Sequence, residues 1–349
     1  MKRTVLAYSG SPAGSASIAW LAQQHACEVV TMTLDFGQDR QLAAVREQAL
    51  ALGAVRAHVI DVREEFVRAF LLPALQTGAL ADGYALTRPL IARRLVEMAR
   101  MESAFAVAHA ALPGSEVAAA LEREITALGV EVLAPVQESG SGVEALISTA
   151  RARGVHVGSA GRYRVDASAW GRRIVPLGDD AVPEDAFALT RSPEECPGDP
   201  ALIGIEFQAG VPVRANGVEL SMTELIESLE TIAGAHGVGR SRDGRVFIEA
   251  PASTVLAMAH SELERHVVGA DLARLLAQLA QVYADALSSG RWFSDIREAI
   301  DAFVRVVQPR VTGTVTLRLL KGECAVVDCA PAAPPGLRAS AAAARKVVA

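Results

Sequence analysis

The stretch best suited to chemistry is Ser9-Gly-Ser-Pro-Ala-Gly-Ser15, a run of small and hydroxyl-bearing residues directly after Thr4-Val-Leu-Ala-Tyr8. Four of those five preceding residues are apolar or aromatic and read as a strand, and a helix is expected from near Ser17. A strand, a small-residue loop and a helix in that order can bind an anion. Loop N–H groups and the positive end of the helix dipole hold phosphate without a charged side chain. The same residues also make ordinary tight turns, and the loop alone does not separate the two readings. Two further groups stand out. His109 closes the expected fourth strand, where a lone histidine is more often structural than catalytic. Arg88 opens an expected helix, facing either an anion at the strand ends or solvent.

Such groups need a scaffold that brings strand ends together. Cys27 to Leu34 reads as a second strand ending in Asp35-Phe-Gly-Gln38, and Leu42, Val45, Ala49 and Leu52 recur at helical spacing until Gly53. Ala57 to Val62 reads as a third strand, Ala104 to Ala110 as a fourth and Val130 to Ala134 as a fifth. Helices are expected over Glu64 to Leu72, Arg88 to Met101 with Pro89 just inside the start, Glu116 to Leu128 and Val143 to Arg153. The alternation predicts an α/β fold with a parallel, doubly wound sheet covered on both faces. Ligands of such sheets sit at the carboxyl ends of the strands, where Ser9, Asp35 and His109 all fall.

From about Gly154 the texture changes. The expected organisation is a first α/β domain over 1–155, a second domain over 156–330 and a tail over 331–349. Leu272, Leu275, Leu276, Leu279, Val282 and Tyr283 mark one face of a helix, and Val311 to Leu319 with Cys324 to Val327 read as a hairpin. Pro331 to Pro335 is expected to be irregular, with Ala339 to Val348 a short helix or disordered.

A chain of 349 residues, about half of them apolar, can bury substantial cores. Its net charge of −6 gives no electrostatic reason to expect nucleic acid or an anionic membrane. Cys27, Cys196, Cys324 and Cys329 form no C-x-x-C pair and read as reduced core residues. No apolar run is long enough to span a bilayer, and no signal peptide is recognised. A cytoplasmic location is the default expectation.

Val5-Leu-Ala-Tyr-Ser-Gly10 and Ser15 resemble the opening of the argininosuccinate synthase family, adenylating ligases of the PP-loop ATP-pyrophosphatase group whose loop reads Ser-Gly-Gly-x-Asp-Thr/Ser-Ser. Ser11 replaces the second Gly, Ala13 the Asp and Gly14 the Thr. Gly83-Tyr-Ala-Leu-Thr-Arg-Pro-Leu-Ile-Ala92 is similar to the family's Ala-Arg-Pro-Leu-Ile-Ala run, without the preceding Gly-Thr-Ser. The resemblance implies an adenine nucleotide α-hydrolase-like first domain and an α+β synthetase domain. It also implies ATP and Mg²⁺ as cofactors and a homo-oligomer, dimer or tetramer. The nucleotide contacts it implies are Ala7, Tyr8, Ser9, Gly10, Ser11, Gly14, Ser15, Leu34, Asp35, Phe36, Gly37, Gln38 and His109.

The departures fall where the family holds its amino acids. Leu112, Glu116, Val117 and Ala120 stand for a Thr, an Asn, an Asp and an Arg. An apolar valine cannot accept the hydrogen bonds an aspartate accepts. In the second domain Arg164, Arg173 and Val175 stand for two serines and a glutamate of the citrulline site, and Ile248 for a tyrosine. Two guanidinium groups there favour carboxylate, phosphate or sulfate over a neutral ureido group, unless they pair with acids such as Asp179 and Asp180. The expected substrate contacts are Arg88, Glu116, Arg164 and Arg173. The function implied is an ATP-dependent, AMP-forming ligase with a more acidic acceptor. The alternatives are a non-catalytic binding relative and a residual argininosuccinate synthase.

Overall fold

The computed structural model describes residues 2–38, 41–79, 83–140, 142–152, 154, 161–178 and 182–332. They divide into two compact units, one of Met1–Arg63, Ala85–Gly161 and Ala286–Ser294, the other of Glu64–Tyr84, Arg162–Asp285 and Asp295–Ala349.

In the first unit β1 (Arg3–Ala7), β2 (Glu28–Asp35), β3 (Arg56–Asp61), β4 (Ala106–Ala108) and β5 (Glu131–Leu133) form one parallel sheet in the order β3-β2-β1-β4-β5. Val5, Leu6, Val29, Val30, Met32 and Ala106 are buried, as a sheet covered on both faces requires. The helices up to this point in the chain are α1 (Pro12–Gln24), α2 (Leu42–Ala51), α3 (Arg63–Phe66), α4 (Leu72–Thr77), α5 (Gly83–Met101), α6 (Glu116–Ala127), α7 (Pro135–Glu138) and α8 (Gly142–Ala152), of which α4 and all of α3 after Arg63 belong to the second unit. A π-helical turn, Val67–Leu71, joins α3 to α4, which lies in the second unit. The strand order reverses between β1 and β4, and open α/β sheets bind ligands in the crevice at such a reversal.

Two helix starts differ from expectation. α1 begins at Pro12 rather than near Ser17, because extended Ser11 caps it and accepts the Gly14 N–H at 3.2 Å, while Pro12 brings a φ already suited to a first turn. α5 begins at Gly83, so Pro89 lies within the helix rather than at its entrance. A proline there leaves the carbonyl four residues back without its helical donor, and Arg88 Nε donates to that Ala85 oxygen at 3.3 Å.

The second unit holds two antiparallel sheets. β6 (Tyr163–Ser168), β7 (Gly171–Pro176), β11 (Arg240–Asp243) and β12 (Val246–Glu249) stand in the order β11-β12-β7-β6. β8 (Ala201–Gln208), β9 (Val211–Ala215), β10 (Val218–Glu219), β13 (Gly313–Leu320) and β14 (Glu323–Pro331) form the other, in the order β10-β9-β8-β13-β14. Ile203, Ile205 and Phe207 alternate on β8 with exposed or half-buried residues, as do Val315, Leu317 and Leu319 on β13, giving that sheet one buried face. The helices are α9 (Met222–Ala235), α10 (Pro251–Val267), α11 (Ala270–Ser288) and α12 (Asp295–Val307). β13 and β14 are the expected hairpin, turning at Lys321 and Gly322, both at positive φ (45° and 89°). β14 runs as far as Pro331, paired with Gly313, so the irregular stretch expected from Pro331 starts later. The rest of the tail, including Ala339 to Val348, lies outside the described residues.

Two stability predictions follow from this packing. Ser11→Ala removes the α1 cap and is expected to cost about 1 kcal/mol in urea denaturation. His260 on α10 is fully enclosed, its Nε2 lies 3.0 Å from Gln308 Oε1, and burial pushes its pKa down to about 4. The folded chain therefore refuses a proton that the unfolded chain takes near pH 6.5, so stability present above that pH is lost as pH falls toward 4. Urea denaturation at pH 7 and pH 4.5 is expected to show about 2 kcal/mol less of this loss in His260→Gln than in the unaltered protein.

Candidate functional site

In the first unit the expected nucleotide contacts gather at the carboxyl ends of β1 and β2. Ala7 ends β1, Ser9 is exposed, and Gly10 adopts a φ of +76°, where a Cβ would sit 3.3 Å from a Val45 methyl. At the head of α1, Pro12 has no N–H and the Gly14 N–H is covered by Ser11 Oγ. The backbone for anion binding is thereby narrowed to the loop amides around Gly10 and Ser11 and to Ala13. Ser15 is fully buried, 2.9 Å from the Tyr8 hydroxyl and 3.3 Å from Gln48 Nε2, so its hydroxyl organises the loop from beneath. Burial raises the Tyr8 pKa.

The segment after β2 is tied down by its own side chains. Gln38 accepts the Phe36 N–H at 2.6 Å and donates to the Leu34 carbonyl at 2.7 Å, while Asp35 accepts the Gly37 N–H at 2.9 Å. Phe36 is buried and Gly37 exposed, so the backbone at the strand end is fixed by these bonds. Arg63 pairs with Asp61 at 2.7 Å and reaches within 3.9 Å of Asp35.

His109 lies directly after β4, buried. Its Nδ1 accepts the Ala111 N–H at 3.2 Å, so Nε2 carries the proton and donates to Glu122 at 3.1 Å. Both ring nitrogens are thus used in shaping the loop, and burial holds the imidazole pKa below its ordinary value. Glu116 is the exposed first residue of α6. Arg88 is buried, and besides Ala85 it donates to the Leu287 and Ser288 carbonyls at 3.4 and 3.5 Å. Beside it, burial pushes Glu124 up to about 8 against the lowering effect of Arg88. Arg88 is therefore placed among helix-end carbonyls.

In the second unit a cavity of about 290 Å³ opens above the β11-β12-β7-β6 sheet. Its floor is a single register row. Ser241 on β11 faces Ile248 on β12, Ile248 faces Arg173 on β7, and Arg173 faces Asp166 on β6, and all four line the cavity. Trp170 and Tyr84 form one wall, and Ser253 and Thr254 of α10 another. Arg164 lies two residues along the same face of β6, outside the lining, and donates from Nε to Asp166 at 3.2 Å. The structure thus brings Arg173 into the cavity with Ile248 and leaves Arg164 holding its acidic neighbour. Asp179 and Asp180 lie outside the described residues. Asp166 was not singled out from the sequence. Pairing the two halves of the hairpin about Ala169 and Trp170 puts it opposite Arg173 and would have found it.

The residues present suit an adenine nucleotide in the first unit, with a backbone rim after β2 and loop amides after β1. Among the described residues no three His, Cys, Asp or Glu side chains gather as a metal cage.

A family model described as the arginosuccinate synthase N-terminal HUP domain matches residues 3–156, and one described as the arginosuccinate synthase C-terminal domain matches 163–332. The argininosuccinate synthase of Symbiobacterium thermophilum is 39% identical over 344 residues, covering 92% of this chain and 86% of that one. Those of Pelotomaculum thermopropionicum and Bacillus thuringiensis are 38% and 37% identical, each covering 93% of this chain and 86% of the relative. Ordered matches to both halves, on a fold with the parallel sheet and paired antiparallel sheets described above, place this chain in the argininosuccinate synthase family.

Proposed function

We propose that the protein is an ATP-dependent, AMP-forming ligase of its family whose acceptor is more acidic than citrulline. The observation that carries this reading is the row Ser241, Ile248, Arg173 and Asp166 on the floor of the second-unit cavity. Where the family places neutral donors and a tyrosine, this chain presents a guanidinium and an apolar side chain. Arg173 receives a carboxylate or similar anion through paired N–H donors, and Ile248 with Trp170 excludes water from that contact. Arg164 keeps Asp166 on the same sheet face and contributes indirectly.

In this reading the nucleotide occupies the first unit. Leu34 to Gln38 and the end of β1 receive adenosine, and the amides around Gly10 and Ser11 with the head of α1 receive phosphate. Bound ATP would supply an adenylyl group to an acceptor oxygen with pyrophosphate as the leaving group, and an amine donor would then take the adenylate's place and release AMP. The loop amides hold the departing phosphates, and Arg173 orients the acceptor. Among the described residues no helix is long and apolar enough to cross a membrane. The reading makes the protein a cytoplasmic homo-oligomer, dimer or tetramer, acting on small molecules, with no nucleic-acid or membrane partner.

A second reading, a nucleotide-binding relative without turnover, is favoured by the head of α1. Ala13 supplies no carboxylate, and Pro12 with capped Gly14 withdraws two N–H groups from phosphate.

Pyrophosphate release with ATP and Mg²⁺, screened over dicarboxylates and over citrulline with aspartate, separates the readings. Release with an acidic acceptor is expected, and Arg173→Gln is expected to raise its KM about tenfold with little change in kcat. Release with citrulline and aspartate alone makes the protein an argininosuccinate synthase, as its relatives' names suggest. No release from any mixture, with ATP binding intact, favours the second reading. That reading further expects Ala13→Asp to leave release at background, and a rise would contradict it.

A further inference from the structure

The row next to the cavity floor, on the opposite face of the same sheet, carries Arg240 on β11, Glu249 on β12 and Arg172 on β7, paired across the strands in that order. Glu249 is 0% exposed and accepts five hydrogen bonds. Its Oε2 takes Arg172 Nη1 at 2.7 Å and the Ala188 N–H at 3.1 Å. Its Oε1 takes the Leu189 N–H at 2.9 Å, the Thr190 N–H at 3.0 Å and the Thr190 hydroxyl at 2.8 Å. Arg240 closes the set, donating to the Thr190 hydroxyl at 2.5 Å and carbonyl at 2.6 Å and pairing with Glu184 at 2.6 Å. Its guanidinium also lies 4.2 Å from the centre of the Phe187 ring.

From this geometry we infer that Glu249 is the positioning residue of the cavity, fixing the strand register and hence the face on which Arg173 stands. Side chains alternate along a strand, so a slip of one residue in β12 would bring Glu249 to the cavity and carry Ile248 away, whereas on β7 both Arg172 and Arg173 line the cavity. Three consecutive N–H groups, the Thr190 hydroxyl and the Arg172 guanidinium are matched to this carboxylate in one register only. Glu249 also stands two residues before Pro251, the first residue of α10, so the anchor extends to the wall formed by Ser253 and Thr254. Packing around it is close, since a Cβ on Gly171 would come within 2.3 Å of the Glu249 carbonyl oxygen. Glu249 therefore acts on a bound anion through Arg173 and touches none itself. The effect on ligand affinity rests on the acidic-acceptor reading, whereas the effect on the cavity does not.

The test uses full-length protein in which Trp20→Phe and Trp292→Phe leave Trp170, a buried wall residue, as the only indole. Glu249→Gln keeps the shape but presents an amide to donors that need an acceptor. Arg240→Gln perturbs the same network from its more exposed end, should Glu249→Gln fail to fold. Either is expected to shift Trp170 emission to the red and increase its quenching by acrylamide while far-UV circular dichroism is retained. Either is also expected to weaken binding of succinate, used as the anionic probe, about tenfold. Arg173→Gln is expected to weaken succinate binding without moving Trp170 emission. A lower melting temperature with unchanged Trp170 emission and quenching in both network variants overturns the inference and leaves Glu249 a stability residue alone. If the unaltered protein binds no succinate, the acidic-acceptor reading loses its support, and Trp170 still decides the role of Glu249.

Discussion

A buried carboxylate that must be satisfied is the constraint on which the arrangement of the second unit depends. An uncompensated charge in a protein interior is costly, and deleting one partner of a buried pair typically costs about 3–5 kcal/mol. Glu249 escapes that cost only where the amides of Ala188, Leu189 and Thr190 and the guanidinium of Arg172 meet it together. Those donors come from a neighbouring strand and from a separate loop. Satisfying one side chain therefore fixes three segments at once, and the cavity floor follows from that as the reverse side of the same strands.

The first unit obeys a different constraint. A parallel sheet whose order reverses between β1 and β4 creates a crevice at its carboxyl edge, and the chain fills the rim with small residues and self-bonded turns. Gln38 and Asp35 spend their polar groups on their own backbone, which keeps the rim rigid. Ser15 and His109 likewise work beneath or beside the crevice. What the unit offers a nucleotide is mainly shaped backbone, consistent with a loop in which Ala13 has replaced the family's aspartate.

The architecture was largely legible in the sequence because alternating strand and helix patterns, with Gly53 and the Lys321-Gly322 turn as stops, leave little freedom in topology. The two misplaced helix starts have opposite causes. Pro12 was read as part of the loop yet opens α1 behind the Ser11 cap, whereas Pro89 was read as a helix entrance yet lies inside α5, where Arg88 supplies the Ala85 carbonyl with the donor that Pro89 withholds. Arg173 was singled out because its charge replaces a neutral residue, and it lines the second-unit cavity. Asp166 and Glu249 were missed because their roles come from cross-strand register, which residue type alone does not reveal.

These strands connect sequence to chemistry through one alternation: Glu249 inward to its amides, Ile248 outward to the cavity, with Arg173 outward beside it. The most direct measurement is a crystal structure of the protein grown with succinate and ATP. The account predicts a succinate carboxylate on the Arg173 guanidinium, next to Ile248, with Glu249 still enclosed by Ala188, Leu189 and Thr190. Succinate bound away from Arg173, or Arg173 on the face that carries Glu249, would contradict it.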